Sequence, residues 1–118
     1  MENEMQLDIT VTSGRPVEDL ASLGQWLRKE RDLAGGVSLA RKPPSEEELG
    51  GVWDVLSVAV GSGGTFAVLA RSLEVWFRNR PRTTIKIKHG ENSIEVDASG
   101  AKELPELLKV LVEAGSVE

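Results

Sequence analysis

The sequence predicts an α/β (α+β) two-layer sandwich: a mixed four-stranded sheet with helices on one face, in the order β-α-β-α-β-β-α. Three observations lead there. Met5–Thr12, and further on Thr83–Lys88 with Ser93–Asp97, alternate between apolar and polar residues, the mark of half-buried strands. Other stretches repeat their apolar residues at intervals of three and four, as a helix lying on a core does. The predicted strands each keep one polar face, so helices can cover only one side of the sheet.

In the first strand Met5, Leu7, Ile9 and Val11 share one face, and Gln6, Asp8, Thr10 and Thr12 the other. Ser13-Gly14-Arg15-Pro16 is a turn. A helix is expected over Val17–Leu33, with Leu20, Leu23, Trp26, Leu27 and Leu33 inward. Glu18 and Asp19 lie in its first turn, and Arg28, Lys29 and Arg31 towards its end, the sense the helix dipole favours. Gly35-Gly36 closes it, and Val37–Ala40 forms a short second strand. Arg41–Glu48 is polar and proline-containing, a loop in which Ser45 caps the next helix with Glu48 three residues on.

The centre, Val52–Phe77, holds a 16-residue run without formal charge, Val55–Ala70, interrupted by Gly61, Gly63 and Gly64. Two readings fit it. One is a helix broken, bent or closely packed at the glycines, which act as a hinge or close-packing point; each interior glycine costs about 1 kcal/mol against alanine. The other is a strand, a glycine loop and a helix, with a loop able to hold an anion. The helical reading is adopted, with stripes Val52, Val55, Leu56, Ala59, Val60 and Phe66, Leu69, Ala70, Leu73, Trp76, Phe77. Pro81 stops the segment. A hairpin turned by His89–Asn92 then sets Lys86 and Lys88 against Glu95 and Asp97. The last helix starts near Pro105, buries Leu104, Leu107, Leu108, Leu111 and Val112, and ends at Gly115.

At 118 residues with 40% hydrophobic and 28% charged content, residues 1–118 are expected to form a single globular domain. The formal net charge of -5 opposes nonspecific binding to nucleic acid, and no nucleic-acid partner is expected. The charge is segregated. Residues 1–54 carry 6 Lys/Arg against 11 Asp/Glu, residues 71–89 carry 6 against 1, and residues 90–118 carry 2 against 7. A basic segment between acidic ones suits self-association or docking onto an acidic partner. The acidic start MENEMQLD has no signal-peptide character. With no cysteine in the chain, a cytoplasmic setting is expected.

Nothing in the sequence assembles a catalytic constellation. His89 is the single histidine, with no cysteine and no HExxH arrangement, so zinc and histidine-based catalysis are not expected. Gly61–Gly64 lacks the lysine of a phosphate loop and the third glycine of a dinucleotide loop. Glu46-Glu47-Glu48 reads as a solvated helix cap. The chain is therefore expected to be no enzyme and to hold no cofactor or metal. The candidate partner-binding residues are Arg71, Arg78, Arg80 and Arg82, beside Trp76 and Phe77, which continue the apolar stripe.

Three stretches together carry a resemblance: GQWLRKERDLAG, ELGGVWDVLSVAVGSGGTFAVLARSLEVWFRNR after the proline loop, and TTIKIKHGENSIEVD. The chain resembles the effector-associated constant component family over nearly its whole length. The positions matching that family's pattern are Leu49, Gly50, Gly51, Gly61, Gly63, Gly64, Leu69, Leu73, Trp76 and Arg80. The resemblance implies a compact α/β accessory protein encoded beside effectors, often caspase-like or trypsin-like proteases, in bacterial conflict or defence systems. It supplies no catalytic residues. It implies a shared adaptor that binds a protease effector, another copy of itself, or both. An alternative reading is a membrane-acting component whose central apolar helix inserts on activation, and a further one is anion or nucleotide binding at the glycines.

Overall fold

A computed structural model describes residues 5–42, 53–60 and 64–116. The order of elements is β1 (Met5–Thr12), α1 (Pro16–Arg28), β2 (Val37–Lys42), β3 (Trp53–Val60), α2 (Gly64–Arg78), β4 (Thr84–His89), β5 (Asn92–Asp97) and α3 (Leu104–Ser116), with short 3₁₀ turns at Ala34–Gly36 and Ala98–Glu103. The mixed α/β class and the helical cover on one face hold. The strand number and the sheet type need correction. The sheet has five strands in the order β2-β3-β1-β4-β5, and every pairing between them is antiparallel.

The additional strand comes from the centre of the sequence. Trp53–Val60 is β3, not the first half of an interrupted helix. Its inward residues Leu56, Val58 and Val60 are completely buried. It pairs on both sides, Leu7↔Val58 with β1 and Leu39↔Leu56 with β2. The strand–glycines–helix reading fits the stretch beyond it, since α2 begins at Gly64. Gly61, Gly63 and the predicted cap at Ser45–Glu48 lie outside the described residues.

The topology follows from strand directions. β1 and β2 are both antiparallel to β3, so they run the same way with β3 between them and α1 as their crossover. β3 and β4 likewise share a direction with β1 between them and α2 as the crossover. Two interlocked split β-α-β units make the β-α-β-β-α-β arrangement of ferredoxin-like folds, to which β5 and α3 are added. Such a fold hosts many unrelated functions, so it carries no functional conclusion by itself.

One cluster of apolar side chains binds the layers together. Leu7, Ile9, Ile85 and Ile87 from the central strands meet Leu23 and Leu27 of α1, Leu69, Leu73 and Phe77 of α2, and Leu104 of α3, all fully buried. α1 lies over β1, β2 and β3, α3 over β5 and β4, and α2 between the two flanking helices. Gly24 lets α1 approach the sheet closely, because a methyl group there would stand 3.1 Å from Leu56 Cδ1. Across β1, β4 and β5 the other sheet face is polar, with Lys86 opposite Thr10 and Glu95, and Lys88 opposite Asp8 and Ser93. The Ser57 hydroxyl donates to Asp8 Oδ1 at 3.0 Å across β3 and β1.

Element ends obey local chemistry. Pro16 occupies the first turn of α1, where a missing N–H is harmless. α1 stops at Arg28, earlier than the apolar period suggests, and the chain tightens: Lys29 N–H donates to Trp26 O and Glu30 N–H to Leu27 O. Leu33 nevertheless reaches the core from the following turn. The β4–β5 hairpin turns through Gly90, whose φ of 64° favours glycine.

Candidate functional site

Helix α2 carries two surfaces with different tasks. Leu69, Leu73, Trp76 and Phe77 are buried, so the apolar stripe read from the sequence is core. The opposite side presents Arg71 and Arg78, both exposed, with half-buried Val68 and Val75 between and beside them. Spacings of four and three residues place Arg71, Val75 and Arg78 along one ridge. Arg78 pairs with Glu74 one turn back at 3.3 Å. With 65% of the Arg78 side chain in solvent, such a pair contributes little and is readily exchanged for another partner.

A groove lies on each side of this ridge. One, of about 740 Å³, is bordered by Phe66, Ala70, Glu74 and Arg78 of α2 and by Pro105 at the start of α3. The other, of about 180 Å³, is bordered by Val68, Arg71 and Val75 together with Trp26 and Glu30 of α1. A ridge between two grooves is the relief that a further helix packs onto.

The arginines selected from the sequence separate in space. Arg71, Arg78 and Arg82 are exposed. Arg80 is half-buried and turned inward. Its guanidinium lies 4.4 Å from the centre of the Trp76 ring, and Nη2 donates to Ser22 Oγ of α1 at 2.9 Å. Trp76 Nε1 donates to the same Ser22 hydroxyl at 3.4 Å. Trp26 Nε1 of α1 donates in return to the Ser72 carbonyl of α2 at 3.0 Å. These contacts clasp α1 to α2, and Ser22, Trp26 and Ser72 were not distinguishable in the sequence as its members. The recurrence of Ser22 and Trp26 at i and i+4 on α1 is the one sequence signal available.

His89 sits half-buried at the end of β4, opposite Asn92, with a buried Nδ1 that has no hydrogen-bond partner. Among the described residues no group of three or more His, Cys, Asp or Glu side chains could hold a metal ion. The reading of Val52–Phe77 as a central helix that inserts into a membrane loses its basis, because this stretch divides into a core strand and a helix with a buried apolar face. Among the described residues no helix is long and apolar enough to cross a membrane.

A family model described as Effector Associated Constant Component 1 matches residues 12–115, from the end of β1 into α3. The chain belongs to the Effector Associated Constant Component 1 family. No curated protein and no solved structure matches it. The match takes in α1, α2 and the clasp between them. Of the positions through which the sequence resembles this family, Leu69 and Leu73 are fully buried, Trp76 nearly so, and Arg80 lies on the Trp76 ring. Gly64 opens α2, whereas Leu49, Gly50, Gly51, Gly61 and Gly63 lie outside the described residues. For this Effector Associated Constant Component 1 chain, the described family positions are those that build α2 and fix it to α1.

Proposed function

We propose that this chain is a non-enzymatic accessory or adaptor component that docks a protease-like effector, caspase-like or trypsin-like, in a bacterial defence system in the cytoplasm. The outward ridge of α2 is the docking surface. The observation that carries the reading is the pairing of exposed guanidiniums with apolar relief. Arg71 and Arg78 stand on either side of half-buried Val75, between two grooves. Hydrophobic contact supplies affinity at such a surface, while the arginines select an acidic partner and hold its register. Arg82, exposed after Pro81, extends the basic surface beyond the helix. Family membership supports an effector-associated role. The test is co-purification of the chain with the effector encoded beside it, using wild type and the Arg71→Glu, Arg78→Glu double variant. Wild type is expected to retain the effector and the double variant to lose it. Equal retention by both would move the docking surface elsewhere.

A further inference from the structure

We draw no further inference here: the strongest candidate, the outer edge of β2, where the sheet ends and Leu39 is 46% exposed, carries nothing because nothing in the structure shows what pairs with it.

Discussion

Replacing Arg80 by alanine should destabilise the fold, while the same change at Arg71 or Arg78 should not. Arg80 loses a charged hydrogen bond of 2.9 Å to Ser22 Oγ, a loss of about 1.5–3 kcal/mol. It also loses its position over the Trp76 ring, about 1 kcal/mol at a half-buried site. In the opposite sense, the buried Nε has no hydrogen-bond partner, and its removal relieves about 1–2 kcal/mol of desolvation. The balance is a destabilisation of about 1–2 kcal/mol. Urea unfolding is the assay, and with a slope of about 1.5 kcal/mol/M the midpoint should fall by about 1 M without a change in slope. Arg80→Lys should recover part of the loss, since it keeps the cation over the ring and loses the planar fork. Ser22→Ala combined with Arg80→Ala should cost less than the sum of the two single changes. Arg71→Ala and Arg78→Ala should stay within about 0.5 kcal/mol of wild type, as exposed positions do. An Arg80→Ala protein as stable as wild type, or an Arg71→Ala protein as damaged as Arg80→Ala, would refute the division of the arginines into one internal and the others external.

Two further outcomes rest on the fold. Gly36→Ala should destabilise by about 1–3 kcal/mol, measured by thermal unfolding, because a methyl group there meets Ala59 O at 2.8 Å and Ala59 Cβ at 3.0 Å; unchanged stability would contradict the close approach of the Ala34–Gly36 turn to β3. Asp97 accepts the Ser99 hydroxyl at 2.7 Å and the Gly100 N–H at 3.3 Å, which holds its carboxyl below the ordinary value of 3.8. A lowered folded-state value means its stabilising contribution is complete above the ordinary value and is lost as pH falls through the lowered one. Carboxyl NMR titration should show the lowered value in wild type and a rise in Ser99→Ala.

The parts of the fold legible in the sequence are those buried on one side. β1 alternates because Leu7, Ile9 and Val11 face the core while Gln6 and Thr12 face solvent. The β4–β5 hairpin and α3 announce themselves in the same way. β3 does not. It lies inside the sheet, and residues on both of its faces are buried: Leu56 and Val58 at 0%, Val55 at 7% and Ser57 at 8%. Burial on both faces removes the alternation and leaves an apolar run that strand and helix share. Val52, Val55, Leu56, Ala59 and Val60 also fit a helical period by coincidence of spacing. With β3 misassigned, the count of four strands and the mixed sheet followed.

The candidate site divides along similar lines. The basic character of α2's end is visible as composition, and its apolar stripe as period. That Arg80 turns inward is not, because its partner Ser22 is 58 residues away in sequence. The grooves beside Val75 depend on Pro105 and Trp26 from two other helices, and only the assembled helical layer brings these together.

The central claim is that this family member acts by docking an effector through the outward ridge of α2. The most direct measurement is the affinity of the purified effector for wild type, for the Arg71→Glu, Arg78→Glu variant and for Arg80→Lys, with folding verified for each. Binding by wild type and by Arg80→Lys is expected, with a loss of at least about a hundredfold, about 2.7 kcal/mol, on reversing Arg71 and Arg78. Binding that survives that reversal unchanged, with the protein folded, would contradict the claim.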